Sequence, residues 1–542
     1  MAKIKIDGNI LITYEHTPYK QIYWDNLSKY IINKYGDSEI HDYQIVDECL
    51  NDCFLYLIKE FENIVSNISN FKFFCYVFRL HEESLKLMIK ERSGRLNLYE
   101  SVNESDFARY RRVLKIIMEQ GCKNKLSWGQ ISKEIILQFD DTIQRLFYIA
   151  TWLYQFADNI AYHRMLNGAY FIHFEKDDLV VHWKNNYGSI SHRLLSYFSK
   201  GYESNVYDEH GTTDLRHEIE KNFRINYDDA FSLVFHVKNH HSDDICQTVE
   251  PQVLPINLRE MFPNVSQSDL ENLIAGLTLS IDNCLSLKDT ILKPYSTERF
   301  LFRPYLVYNI NGEARLLTSE DKFAESMYVL ATNAVQWNTI NIEWRKNKQM
   351  ELYVTRKGNE HDRHLENEIE KILHENKLLF ARNVKSFKTN QNNNVNIDNN
   401  QCGEIDFIIL DTDRKHLIVA DSKYNKTRFE GVGYRQDYSN FRTKNEPQLF
   451  RKLKWINENK EIVQQHFDKI YPNNNLAFND FEVKGLFIIN TPSFYMFCSK
   501  YLTIAIKYLD RYFKNEDIYP DITVEFEPHK FKVYPYPYFK ES

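Results

Sequence analysis

The sequence predicts a multidomain α+β protein, with a mostly helical N-terminal region, a mixed middle segment and a C-terminal α/β domain. Three observations predict it. At 542 residues the chain exceeds what one hydrophobic core supports, which points to roughly two to four domains. Apolar residues recur at helical spacing through much of the first 240 positions, and strand-like runs dominate after about position 378. Between these stretches, Asn239-His240-His241-Ser242-Asp243-Asp244, followed by Pro251 and Pro255, reads as a boundary.

Taken in order, the N-terminal domain (1–240) opens at Met1 to Gly8 with charged and apolar residues alternating as in a strand. Helical spacing follows over 45–90 and 105–161, for example Val113, Ile116 and Ile117, then Ile143, Leu146, Phe147 and Ala150. The runs 169–174 and 179–183 are strand-like, and Glu175-Lys176-Asp177-Asp178 between them predicts a hairpin. This domain is expected to be a sensor or partner-binding module. In the middle segment (250–355) the spacing predicts helices over 266–286 and 324–334 and a strand over 303–308, packed between the two ends. The C-terminal domain takes residues 356–542.

Composition narrows the function classes. Hydrophobic residues make up 43% and charged residues 26%, as in an ordinary globular protein. No run approaches the roughly 18 apolar residues that span a bilayer, and the N-terminus has no signal-peptide core. A soluble, cytoplasmic protein without membrane contact is expected. None of the eight cysteines forms a CxxC pair, and Cys49 and Cys53 lie one helical turn apart, so reduced, buried thiols are expected. His236, His240, His241 and Cys246 lack a second ligand pair at zinc spacing and read as a solvated loop. There is no GxxxxGK[ST] loop and no GxGxxG after a strand. A nucleotide-driven motor would therefore have to come from a separate NTPase or sensor protein; a homodimer is the other assembly considered.

The chemistry concentrates after His364. Leu365, Ile369, Ile372 and Leu373 form the buried stripe of an amphipathic helix, and Glu366 lies on its border. Glu368 borders the other side and Glu370 points further out, so both remain alternatives to Glu366. A strand over 378–384 and an Asn-rich loop over 390–400 follow. Two further strands, 403–410 and 416–423, are linked by the short turn 411–415. Side chains alternate along a strand, so Asp421 and Lys423 share a face. Asp406 interrupts an apolar run, where an unpaired carboxylate is costly to bury. Converging carboxylates of this kind suit Mg²⁺, which prefers carboxylate and water oxygens. A lysine two residues from such a ligand can orient a water and stabilise phosphate charge.

The order of a helical Glu366, then Gly403-Glu404-Ile405-Asp406, then Asp421-Ser422-Lys423 resembles the PD-(D/E)XK nuclease superfamily, the restriction-endonuclease-like fold. The apolar strand 483–490, after a helical basic stretch, completes that family's αβββαβ order. The resemblance covers about 360–500. It implies a Mg²⁺-dependent nuclease (Mn²⁺ substituting), with Asp406, Asp421 and Glu366 as metal ligands, Lys423 positioning the water, and all four forming the catalytic set. Asp421 and Lys423 are expected to line an open site. The QxxxY motif of the RecB-like branch has only approximate candidates in Gln436 and Gln448.

The net charge of −7 means that nucleic acid would have to bind a local patch. From Lys423 to Lys454, nine basic residues face three acids, a local balance of +6, with Tyr and Phe interleaved. Lys426, Arg428, Arg435, Arg442, Lys444, Arg451 and Lys452 are expected to contact backbone phosphates. The patch does not tell DNA from RNA; a DNA endonuclease is the leading reading, and fold analogy alone suggests the nuclease component of a microbial restriction or anti-phage system. The alternatives are an RNA-cleaving nuclease and a non-catalytic nucleic-acid-binding or assembly subunit.

Overall fold

A computed structural model of the chain describes residues 3–12, 16–199, 211–236, 241–242, 247–389, 393–399, 401–428, 430–472 and 476–539. It is mixed α+β and divides into two units. One comprises Met1–Ile160, Ile172–Val181 and Tyr207–Gly358, the other Ala161–Phe171, His182–Val206 and Asn359–Ser542. No helix among the described residues is long and apolar enough to cross a membrane.

In the first unit the helical stretch at 45–90 is two helices, Tyr43–Ser66 and Phe71–Arg92. Asn70 separates them: its side chain accepts the Lys72 N–H and starts the second helix. Glu104–Gly121 and Lys133–Met165 follow, and Val113, Ile116, Ile117, Ile143 and Leu146 are all buried. The N-terminal alternation is one arm of a hairpin, Lys3–Ile6 with Asn9–Ile12. It turns at Asp7-Gly8, where both residues take positive φ, as a two-residue hairpin turn of this kind requires. The hairpin expected after 169 forms from Tyr170–Glu175 and Asp178–Trp183.

Among the described residues, the 250–355 segment shares its core with the preceding region. Leu254, Leu273, Leu316, Leu330 and Trp344 bury in one cluster with Leu215, Ile219 and Phe223 from the preceding region. Strands Tyr305–Ile310 and Glu313–Leu317 likewise share a sheet with Lys125–Leu126 and Gln247–Val249. Each stretch carries an apolar face that it cannot cover alone, and the faces close on one another. The helix expected over 266–286 stops at Leu277, because Thr278–Leu279 pairs as a strand with Tyr305 and Leu306. Part of the expected boundary, and with it His240 and Cys246, lies outside the described residues. Cys75 is disulfide-bonded, against the expectation of free thiols throughout; which sulfurs meet depends on Cα separation, which sequence spacing does not fix.

The second unit contains a five-stranded sheet. Its helix α1 (Lys348–Glu375) contains the division between the units, and the strands are β1 (Leu379–Val384), β2 (Ile405–Asp411), β3 (His416–Lys423), β4 (Glu482–Ile489) and β5 (Leu502–Ala505). They lie in sequential order, antiparallel from β1 to β3 and parallel from β3 to β5. Helices α2 (Gly431–Asn440), α3 (Glu446–Glu458) and α4 (Lys460–Ile470) connect β3 to β4. The α1 stripe Leu365, Ile369 and Leu373 packs on Phe407 and Ile409 of β2, Ile418 and Ala420 of β3, and Leu486 and Ile488 of β4. On the opposite face α3 approaches closely. A Cβ on Gly485 would lie 2.9 Å from Leu453 Cδ1 and 3.2 Å from Leu449 Cδ2. With both faces covered, the central strands are apolar almost throughout, not alternating.

Candidate active site

The β2–β3 register pairs Phe407 with Ala420, so the next step brings Asp406 opposite Asp421. Phe407 and Ala420 face α1. Alternation therefore turns Asp406, Asp421 and Lys423 to the other face, where α3 lies. Both aspartates interrupt buried runs, and the surrounding apolar strands fix their depth.

Two ammonium groups meet the two carboxylates. Lys423 Nζ lies 3.5 Å from Asp421 Oδ2 and 4.0 Å from Asp406 Oδ2. Lys452 Nζ, from α3, lies 2.5 Å from Asp421 Oδ1 and 3.9 Å from Asp406 Oδ1. Asp406 Oδ2 also accepts from the backbone N–H of Ser422 at 2.8 Å and from its hydroxyl at 3.0 Å. Asp421 Oδ2 is buried and accepts no hydrogen bond. Burial, reinforced by the Asp421 charge, raises the Asp406 carboxyl above its ordinary range. Burial pulls Lys423 down, but Asp421 and Asp406 outweigh it and raise the ammonium overall, which keeps it charged at neutral pH.

Asp421, expected at an open site, is fully buried at 0% exposure, while Asp406 and Lys423 side chains keep 20% and 23%. The reason is α3, which covers the Asp421 end of the strand. The structure does not bring Glu366 to the pair. Its Oε2 accepts from Arg382 Nη2 at 2.8 Å and from Asn383 Nδ2 at 3.1 Å, both on β1. Glu370 shares Arg382, its Oε2 accepting from Nη1 at 2.5 Å, and Glu368 is exposed. Among the described residues no three His, Cys, Asp or Glu side chains converge as a ready metal cluster. A carboxylate not anticipated from the sequence, Asp362, lies one turn before Glu366 on α1. Desolvation and the Glu366 charge raise it, opposed by Lys423.

The expected phosphate contacts divide. Lys452 is a correction: it is buried against Asp421, because it shares the inward stripe of α3 with Leu449 and Ile456. Arg428 is also turned inward, paired with buried Asp437 at 2.9 Å. Lys426 is half-buried, and burial followed by the Arg428 charge lowers its ammonium to about 7. Arg435 is half-buried. Arg442, Lys444 and Arg451 are exposed, with Arg442 3.2 Å from Glu446. The usable basic surface is narrower than the sequence count. No family model, no curated protein and no solved structure matches this chain.

Proposed function

We propose that the second unit is a Mg²⁺-dependent nuclease of the restriction-endonuclease type that hydrolyses phosphodiester bonds, with DNA as substrate. One observation supports it above the rest: the strand register sets two carboxylates opposite each other, with Lys423 on the same face. Counting only strands of the five-stranded sheet, the order is a helix, three antiparallel strands, a helical connection and a parallel strand, which agrees with that reading; the hairpin Ser386–Lys388 with Asn394–Asn396 is an addition outside that sheet. The donor set fits a hard cation, because Asp421 Oδ2 is a buried carboxylate oxygen that no well-formed hydrogen bond satisfies, faced by the Lys423 ammonium at 3.5 Å. Asp406 and Asp421 are the residues that would hold the metal. When bound, Mg²⁺ supplies Lewis-acid polarisation of the phosphate and lowers the pKa of an attacking water.

The chain's own residues do the rest. Ser422 fixes the Asp406 carboxylate through Oδ2, so its orientation is set before any ligand arrives. Lys423 stays protonated and partly exposed, so it can donate to an attacking water or to a non-bridging phosphate oxygen. Arg442, Lys444 and Arg451 offer cations for backbone phosphates, which position a strand without reading its bases.

The test is cleavage of plasmid DNA, single-stranded DNA and RNA by the purified full chain in Mg²⁺ and in EDTA. Metal-dependent cutting of DNA that is lost in Lys423→Met is expected. Cutting of RNA alone would reassign the substrate. No cutting of any of the three would leave a nucleic-acid-binding role and reject the enzyme.

A further inference from the structure

We propose that Lys452 is a resident counter-ion of the Asp406–Asp421 pair, which holds the two carboxylates together in the metal-free protein and must be displaced before a divalent cation can bind. The inference rests on the metal-site reading above and assigns a role in it to a residue outside the catalytic set. The geometry carries it. The four charges alternate: Lys423 addresses the Oδ2 atoms of both aspartates, and Lys452 addresses the Oδ1 atoms. Two carboxylates facing each other without cations between them would repel strongly at this depth. Of the two lysines, Lys452 is the deeper, with its side chain 8% exposed against 23% for Lys423. It also makes the shorter contact, at 2.5 Å to Asp421 Oδ1.

The position of Lys452 is built, not incidental. Leu449 and Ile456 anchor its helix with no exposure, and Gly485 of β4 leaves the room that lets α3 approach the sheet. The ammonium therefore sits where a cation coordinated by both aspartates would carry its own charge. The two positive charges compete for the same oxygens. A divalent ion gains less on binding because it must first separate the Lys452 ammonium from Asp421. Lys452 is a positioning residue: it sets how firmly metal binds and keeps the carboxylates in place without it.

The experiment uses the full chain and Mn²⁺ as probe, with free Mn²⁺ followed by electron paramagnetic resonance and thermal unfolding recorded in EDTA and in Mn²⁺. Lys452→Met is expected to bind Mn²⁺ at least tenfold more tightly than the wild type. It should melt lower in EDTA and show a larger Mn²⁺-induced rise. A structural role alone would lower the melting temperature in both conditions and leave Mn²⁺ affinity unchanged. Equal or weaker Mn²⁺ binding by Lys452→Met, with the wild type binding, overturns the counter-ion role and leaves the metal site standing. Absence of Mn²⁺ binding by both proteins rejects the metal site itself, and the inference falls with it. Should Lys452→Met fold only in Mn²⁺, that rescue supports the role, since the metal then supplies the missing charge. Should it and Lys452→Gln both misfold even in Mn²⁺, the role is refuted.

Discussion

Asp421→Asn and Asp406→Asn remove one charge each from the same site, yet the geometry predicts unequal consequences for stability. Asp421 has ammonium groups at 2.5 and 3.5 Å. At an effective dielectric constant of about 20, these attractions amount to roughly 7 and 5 kcal/mol before desolvation and the Asp406 repulsion are subtracted. Asparagine keeps the shape but leaves the buried Lys452 ammonium without its close partner. Breaking a buried pair from one side costs about 3–5 kcal/mol. Asp406 has the same ammoniums only at 3.9 and 4.0 Å, and its carboxyl is already raised by burial and by Asp421. A raised carboxyl binds protons in the folded state that the unfolded chain has released. Its ionisation therefore costs stability as pH rises from the unfolded value through the folded one. Asp406→Asn removes that cost, and a change within about 1 kcal/mol of zero, or a gain, is expected at pH 7. Both variants are expected to lose cleavage. Hydrogen exchange of the β2 and β3 amides in EDTA reads the local stability of each. Equal losses, or a larger loss for Asp406→Asn, would refute the assignment of Lys452 and Lys423 as partners chiefly of Asp421.

Two further outcomes follow from charges elsewhere. In the first unit, Lys115 is buried 3.8 Å from Glu325, which Arg111 and Lys322 already hold at 2.5 and 3.0 Å; burial lowers the Lys115 ammonium to about 7. Between about 7 and 10.5 the unfolded chain binds more protons at this group, so stability rises with pH there. Lys115→Met should stabilise the protein at pH 7 by roughly 1–3 kcal/mol and flatten that rise; urea titrations at pH 7 and 9.5 that show wild-type behaviour would contradict it. On the surface, replacing Arg442, Lys444 and Arg451 by glutamine should reduce the slope of log affinity against log salt by about 2–3 for duplex DNA in Ca²⁺; an unchanged slope would place the phosphate contacts elsewhere.

The sheet of the second unit was legible because its strands are short, apolar and ordered, and because alternation alone puts Asp421 and Lys423 on one face. Glu366 shows where such reading stops. Its helical phase puts it at the edge of the buried stripe, but phase does not say which partner waits there, and Arg382 on β1 holds it. The pairing of Arg428 with Asp437 was similarly invisible, so a count of positive charges overstated the surface available to phosphates. The shared core of the first unit was illegible for another reason. Apolar stripes at 215–223 and 254–344 each need cover, and spacing within one stretch says nothing about which stripe supplies it.

Lys452 marks the opposite case, where a signal was present in the sequence. Leu449, Lys452, Leu453 and Ile456 recur at intervals of three and four, so Lys452 lies on the inward stripe of its own helix. A basic residue in that phase cannot serve a solvent-facing patch. Burying it alone would be costly, so it requires an anion within the fold. The two aspartates on the neighbouring strands, each interrupting an apolar run, were unpaired in the same sense. Opposite charges that must all be buried in one domain are best placed against one another, and α3 does this by crossing Gly485. The consequence is a site whose electrostatics involve four side chains. The effect of removing any one of them depends on which of the other three it leaves alone.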